Sequence, residues 1–306
     1  MPSLSDIERF LSDLNLPTCR LGEIGRGCAL VIAPGARVLA LSAPGSDENI
    51  FWTHPLLGQC RTLEDMSHGG IGGLRLWHAP EAAYMWQGPA QPATFENYQV
   101  QPAMDPGQYR LERTSPLSCL LTGQASLRDL NTGKTTEIAV RREITLKPGP
   151  RSVTLAFENH LKLLQGDEDS RVDLWHLMQL PAGSTVGARV REGCEPLVYF
   201  NPDRTDGWSV QDGNFCWLTN GKRLGKIGFD AVSGPFALVP SGRFDWTIPI
   251  DRNTPYIDSP PGRLCHDQVV QFWDGFDFCE AEYHSPGVSL QNPELSDHSE
   301  LTFTLS

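Results

Sequence analysis

Hydrophobic residues follow a helical period only at the start of the chain. The apolar stripe there consists of Leu4, Ile7, Leu11 and Leu14. Ser5 and Glu8 have the spacing of a capping box, and Ser3 is an alternative N-cap. Pro17 stops the pattern. We therefore predict one short helix over residues 3–14.

The rest of the chain alternates hydrophobic and polar positions, as half-buried strands do. The clearest runs cover 29–33, 37–41, 109–113, 137–146, 152–157, 172–180, 225–229, 236–239, 279–284 and 301–305. Turn sequences rich in Gly, Pro and Asn separate them, and the chain contains 29 Gly and 24 Pro. Short strands with frequent turns and no helices between them predict an all-β sandwich of large antiparallel sheets.

The length of 306 residues is compatible with one large β-sandwich, and no linker or repeat divides the chain. We expect an N-terminal helix over 1–20 that packs on a single domain over 21–306.

The net charge and the spacing of the cysteines indicate which kind of partner and which cellular compartment to expect. A net charge of -12 argues against a nucleic acid or an anionic membrane surface, which both require clustered Lys and Arg. The N-terminus lacks the basic and apolar regions of a secretion signal, and no apolar run has the length of a membrane span. The eight cysteines are widely spaced, without a CxxC pair. We expect a cytoplasmic protein with free thiols and an uncharged polar ligand.

Residues 68–81 combine four glycines, two histidines, an arginine, a tryptophan and a glutamate. Glycine allows positive φ and a close approach of the backbone to a ligand. Alternation places Arg75 and Trp77 on one face of a strand, with Leu74, Leu76 and His78 on the other. An arginine beside an indole is suited to a sugar or a carboxylate. The same pair also fits a surface arginine over a core tryptophan, and the stretch also fits a glycine-rich hairpin with an edge strand.

The strand over 172–180 places His176 and Met178 on one face. Its other face carries Trp175, Leu177 and Gln179. A histidine in such a strand is either a core residue or a general acid near neutral pH, and the pattern alone favours the core. Asn159 ends an earlier strand and is expected nearby.

Near the C-terminus, Glu280, Glu282 and His284 alternate onto one face of a strand. Exposure to water is the simplest explanation for two neighbouring carboxylates. If the face lines a cleft instead, one glutamate has a raised pKa and is suited to act as a base.

Taken in order, these segments resemble the galactose mutarotase-like superfamily, which includes the aldose 1-epimerases, and within it an outlying bacterial branch. Residues 72–81 are similar to the branch's GG-x-R-x-W-x-x-P-E motif, and 176–180 to a shortened epimerase H-x-Y-F-N-L strand. Residues 279–282 are similar to the family's C-x-E strand, and 256–258 to a proline-tyrosine-aspartate turn. The resemblance runs from about Cys28 to the end of the chain and rests on the order of the motifs.

The resemblance implies a β-supersandwich and a catalytic pair that opens the sugar ring without a cofactor. His176 would protonate the ring oxygen, and Glu282, or alternatively Glu280, would remove the anomeric hydroxyl proton. The implied substrate-binding residues are Arg75, Trp77, Glu81, Lys226 and Asn159. We expect Arg75, Trp77, His176, Lys226 and Glu282 to line one sugar-sized cleft, although Lys226 also fits a solvated strand end.

Two departures from the family leave other functions open. The epimerases carry a further histidine after the arginine motif, whereas here His68 precedes it. Their substrate-binding aspartate has no convincing counterpart here, and Asp206 is a weak candidate for it. A non-catalytic sugar-binding protein on the same fold is therefore the main alternative. A glycoside hydrolase or polysaccharide lyase is the second, with Glu81 and Glu282 as its carboxylate pair.

His68, His78 and Glu81 form a cluster of candidate metal ligands. Their spacing fits no common ligand pattern well, so we assign no metal, and the metal content stays open. The identity of the sugar, its phosphorylation and the oligomeric state stay open.

Overall fold

The structure is a computed structural model that describes residues 2–55, 57–59, 70–91, 94–190, 192–200, 207–219, 224–229, 231–249, 268–275 and 277–306. Nineteen strands form within these residues. They are β1 Thr18–Glu23, β2 Arg26–Ile32, β3 Arg37–Pro44, β4 Leu74–Ala79, β5 Tyr109–Ser115, β6 Ser118–Arg128, β7 Thr135–Pro148, β8 Ser152–Gln165, β9 Asp173–Pro181, β10 Thr185–Val190, β11 Leu197–Phe200, β12 Trp208–Gln211, β13 Asn214–Leu218, β14 Gly225–Phe229, β15 Ala231–Val239, β16 Gly242–Thr247, β17 Val270–Asp274, β18 Phe278–His284 and β19 Glu294–Leu305. Two α-helices accompany them, α1 over Leu4–Asp13 and the single turn α2 over Glu81–Tyr84.

The strands form two large antiparallel sheets. One has the order β1-β2-β3-β4-β9-β18-β17-β14-β11, and the other β12-β13-β10-β15-β16-β19-β8-β7-β6-β5. Their inward faces meet in one continuous hydrophobic cluster. The predicted all-β class with two large antiparallel sheets is confirmed.

The burial pattern distinguishes the two sheets. In β7 and β8, buried residues alternate with more exposed ones, because only one face of the ten-stranded sheet is covered there. In β4 and β9 nearly every residue is buried, and β18 is similar. The centre of the nine-stranded sheet is therefore covered on both faces, and its outer face carries the site described below.

The N-terminal helix packs against the nine-stranded sheet. The Ser3 hydroxyl accepts a hydrogen bond of 3.1 Å from the Asp6 amide, so Ser3 and not Ser5 is the N-cap. The predicted stripe of Leu4, Ile7 and Leu11 is buried against residues of β2 and β3 such as Leu30. The division into a helix over 1–20 and a domain over 21–306 stays a prediction.

Candidate functional site

Strands β4, β9, β18, β17 and β14 lie side by side, and their register brings the sequence motifs together. Arg75 pairs with Leu177, which pairs with Glu282. Alternate residues along each strand therefore share the outer face of the sheet. These residues include Arg75, Trp77, Trp175, Leu177, Gln179, Lys226, Trp273, Glu280, Glu282 and His284.

A cleft of about 160 Å³ opens on this face. Its walls are largely aromatic, from Trp77, Phe95, Tyr98, Trp175, Trp273 and Phe278, and its polar lining comes from Arg75, Glu81, Gln179, Lys226 and Glu280. A cavity of roughly 150 Å³ accepts benzene, so this volume accommodates one six-membered ring. Aromatic walls with a few convergent polar groups are typical of small-molecule sites.

At one side of the cleft, Arg75 and Gln179 hold Glu280. The Arg75 Nη2 and the Gln179 Nε2 donate hydrogen bonds of 2.8 and 2.9 Å to the Glu280 Oε1. Within the described chain no donor bonds the Glu280 Oε2, so that oxygen is available to a ligand. The Arg75 guanidinium lies 4.0 Å from the centre of the Trp77 ring.

A fully buried ion pair supports Trp77 from behind. The Trp77 Nε1 donates to the Asp105 Oδ2 at 3.0 Å, and the Arg37 Nη2 donates to the same oxygen at 2.7 Å. Arg37 also donates to the Gly72 carbonyl at 2.6 Å. The glycine motif and the indole are thus held by one network.

At the other side, Lys226 is buried among carboxylates. Its Nζ lies 3.2 Å from the Glu282 Oε2 and 3.6 Å from the Glu81 Oε2. The Trp175 Nε1 donates to the Glu282 Oε2 at 2.8 Å, and the Lys226 Nζ lies 4.5 Å from the centre of the Trp175 ring. Lys226 is only 5% exposed, so it is not the solvated strand end that the sequence also allowed.

The protonation of this cluster departs from that of free side chains. Burial raises the pKa of Glu282 to about 7, with Lys226 opposing and Glu280 adding to the shift. For Lys226, burial acts to lower the pKa, but Glu282, Glu81 and Glu280 outweigh it and raise the pKa. Lys226 is therefore an ammonium, and Glu282 can hold or release a proton near neutral pH.

The two glutamates differ in their access to the cleft. Glu280 lines it, whereas Glu282 is fully buried behind Lys226 and Trp175 and is not part of its wall. Glu282 contributes to the cleft through Lys226.

His176 and Asn159 do not line the cleft, which corrects the predicted arrangement. His176 lies on the inward face of β9, fully buried, where it stacks on Tyr283 at 4.2 Å and its Nε2 lies 3.3 Å from the Asp297 Oδ2. Asn159 donates to the same Asp297 oxygen at 3.1 Å. Burial lowers the pKa of His176, so the imidazole is held neutral in the core. The alternation of β9 had already favoured this position.

His284 is the histidine that β18 places on the outer face. Its ring stacks on Trp175 at 5.3 Å between centres, and its Nδ1 lies 3.2 Å from the Asp173 Oδ1. Burial lowers the pKa of His284 well below the usual value for a histidine. Burial also raises the pKa of Asp173 well above the usual value for an aspartate. The two groups form a neutral pair behind Trp175.

Several residues of the site had no role in the sequence-based prediction. Gln179 shares a face with Trp175, so alternation contained a signal for it. Asp105 and Arg37 had no such signal, because the fold brings together Arg37 at the start of β3 and a distant loop residue.

In the described ranges, no group of three or more His, Cys, Asp or Glu residues could hold a metal ion. His78 lies on the inward face of β4, near the Tyr109 hydroxyl at 3.4 Å. His68, Asp206 and the turn over 256–258 lie outside the described residues. None of the described helices has the length and apolar character needed to cross a membrane.

No protein-family model matches the chain, and no curated protein matches it in sequence. Solved structures do match. A protein from Synechocystis sp. PCC 6803 aligns over 95% of this chain and 96% of its own, with a TM-score of 0.58 and 13% identity. A galactose mutarotase-like protein from Lactobacillus casei ATCC 334 aligns over 94% and 100%, with a TM-score of 0.57 and 10% identity.

A galactose 1-epimerase from Lactobacillus acidophilus NCFM aligns over 95% of both chains, with a TM-score of 0.52 and 10% identity. At such identities the likeness concerns the fold alone. Together with the order of the motifs, it shows that this chain has the fold of the galactose mutarotase-like proteins.

Proposed function

We propose that the cleft binds a monosaccharide and interconverts its anomers by acid-base ring opening. The observation that carries the proposal is that the carboxylate of Glu280 and the ammonium of Lys226 both line one ring-sized aromatic cleft. A sugar as the ligand is supported by two structures of the same fold, the galactose mutarotase-like protein and the galactose 1-epimerase.

The anomeric hydroxyl and the ring oxygen are bonded to the same carbon, so two neighbouring groups can reach both. Glu280 accepts the hydroxyl proton, the C1–O5 bond breaks, and its electron pair goes to O5, which takes a proton from Lys226. C1 becomes an aldehyde. Rotation about C1–C2 and closure with the proton transfers reversed give the other anomer and restore both groups.

The proton transfers run in favourable directions for this pair. The opened ring carries an alcohol, whose pKa is far above that of an ammonium, so O5 takes the Lys226 proton readily. The Glu282 Oε2 lies 3.2 Å from the Lys226 Nζ and positions the amine, which takes its proton back from O5 when the ring closes. Arg75 and Gln179 orient Glu280.

The test follows mutarotation of freshly dissolved α-D-glucose and α-D-galactose by polarimetry. We expect Lys226→Met and Glu280→Gln to reduce the acceleration by about 10²-fold or more. Matched controls are Lys147→Met and Glu300→Gln, because this exposed ion pair lies on the other sheet. Equal rates for the two cleft variants, the controls and the parent protein would refute the assignment, as would a parent protein without acceleration.

Sugar binding without catalysis is the second candidate. It is favoured by the placement of His176 in the core and by the pairing of the charged side chains of the cleft with one another. Calorimetry that shows sugar binding, lost in Arg75→Met, together with no acceleration of mutarotation would decide for it. Hydrolysis has less support, because Glu81 and Glu282 share the Lys226 ammonium and do not face each other across the cleft.

A further inference from the structure

Two cysteines meet where the edges of the sheets come together, away from the cleft. Cys19 lies on β1, the edge strand of the nine-stranded sheet, and Cys119 lies on β6, next to the edge strand of the other sheet. Both side chains point inward, with exposures of 5% and 0%, and both belong to the cluster between the sheets. They are therefore a pair across the sandwich and not neighbours along one strand.

A backbone hydrogen bond links the two sheets a few residues along the chain from each cysteine. The Gly22 amide, near the end of β1, donates a hydrogen bond of 3.0 Å to the Pro116 carbonyl, in the turn before β6. Strand β1 also contacts β5, β6 and β7. The two thiols are close enough for each to shift the pKa of the other. Their approach thus follows from strand packing and does not depend on a flexible loop.

The two thiols differ in reactivity. The neighbouring Cys119 thiol lowers the pKa of Cys19 below that of a free thiol, whereas the Cys19 thiol and burial raise the pKa of Cys119. The positive charge of Arg113, which pairs with Cys119 across β5 and β6, adds to the lowering for Cys19. Cys19 is also the less buried of the two, so it is the thiol that a small oxidant attacks first.

We propose that Cys19 and Cys119 form a modification site, at which hydrogen peroxide joins the two sheets by a disulfide. The Cys19 thiolate attacks peroxide, its S–O bond forms as the O–O bond breaks, and hydroxide leaves. The Cys119 sulfur then attacks the Cys19 sulfenic acid, the S–S bond forms, and water leaves with the Cys119 proton. Two thiols are oxidised and one peroxide is reduced to two waters.

The test is peptide mapping of the folded protein after peroxide treatment, with a chelator present. We expect one dominant linked peptide pair, containing Cys19 and Cys119, and the loss of two of the eight thiols on titration in denaturant. The linkage closes a loop of roughly 100 residues, so Tm should rise, and dithiothreitol should reverse the rise.

Cys119→Ser and Cys19→Ser should abolish the linked peptide and the rise in Tm. Cys216→Ser, on β13 at the far edge of the ten-stranded sheet, is the matched control and should retain both. Retention of all eight thiols, a different linked pair, or sulfinic acid at Cys19 without a cross-link would each overturn the proposal. Because mapping uses the unaltered chain, the conclusion holds even if a serine variant folds poorly.

Discussion

At the scale of the residue, burial decides which side chains of the cleft carry charge. Lys226 and Glu282 are both removed from water. The attraction between them offsets part of the free-energy cost of burying each group. Three carboxylates outweigh burial and raise the pKa of Lys226. For Glu282 the single ammonium does not outweigh burial, so the pKa of this carboxyl is also raised. The cluster therefore keeps a fixed cation beside a carboxyl that titrates near neutral pH.

This difference predicts a pH dependence of stability. The pKa of Glu282 is higher in the folded chain than the value of 4.5 for an unperturbed carboxyl. The folded state therefore binds more protons over the interval between the two values, and Glu282 contributes stability below pH 4.5 that is lost as the pH rises through about 7. Relative to the parent protein, Glu282→Gln should gain about 1–3 kcal/mol in free energy of unfolding over this interval.

Urea denaturation at acidic, neutral and mildly alkaline pH measures the effect. Glu300→Gln, which removes an exposed carboxylate, should differ from the parent protein by the same amount at each pH. A constant difference between Glu282→Gln and the parent would contradict the raised pKa.

At the scale of the element, two glycines position strand β4. Gly72 has a φ of +101°, and a Cβ there would collide with the carbonyl oxygen of Trp52. The Gly73 amide donates to the Trp52 carbonyl at 2.9 Å, and its carbonyl accepts from the Gln179 amide at 3.0 Å. The motif thus ties β4 to β9 where Gln179 enters the cleft, so its glycines are required by packing.

Three alanine variants separate backbone strain from collision. Gly72→Ala should lower the free energy of unfolding by more than about 2 kcal/mol, because the strain of a positive φ and the collision with the backbone both destabilise the folded state. Gly45 has a φ of +80° and open space around it, so Gly45→Ala should lower the free energy of unfolding by about 1 kcal/mol. Gly70→Ala, with open space and no positive φ, should cost close to nothing. Equal unfolding free energies for Gly72→Ala and Gly45→Ala would show that the contact with Trp52 is not close.

At the scale of the whole molecule, a polar layer lies between the two sheets. Asp297 of β19 accepts hydrogen bonds of 2.8 Å from the Tyr283 hydroxyl and 3.1 Å from Asn159. Burial alone would raise the pKa of Asp297, but the neighbouring His176 and these two donors outweigh it and lower the pKa. The Arg142 guanidinium is fully buried over the Phe157 ring, with no protein hydrogen-bond partner among the described residues. These polar groups belong to the packing of the sandwich and not to the cleft.

The two charges of this layer should respond differently to removal. Arg142→Met should leave the free energy of unfolding within about 1 kcal/mol of the parent or raise it, because an unpaired buried cation is replaced by an apolar chain. Asp297→Ala should lower it by about 3 kcal/mol or more, because it leaves buried donors without an acceptor. Urea denaturation compares them, and a larger loss for Arg142→Met would contradict this account. Mutarotation or sugar binding should be unchanged in Arg142→Met.

The sequence by itself determined the sheets and the grouping of side chains. The period of two along 172–180 separated Trp175 and Gln179 from His176, and the same period joined Arg75 to Trp77. Because alternation depends only on the extended backbone, these groupings hold in any sheet. The order of the motifs also predicted the fold.

Only the tertiary structure decided which group faces the cleft. Strand β9 is buried on both faces, so polarity does not show which one meets the second sheet. The packing of β19 against β9 placed Asp297 beside His176, and the register with β18 and β14 placed Lys226 beside Glu282. Such contacts between residues far apart in the chain depend on the stacking of the sheets, which no local pattern encodes. The cleft is therefore built around Glu280 and Lys226, and His176 belongs to the core.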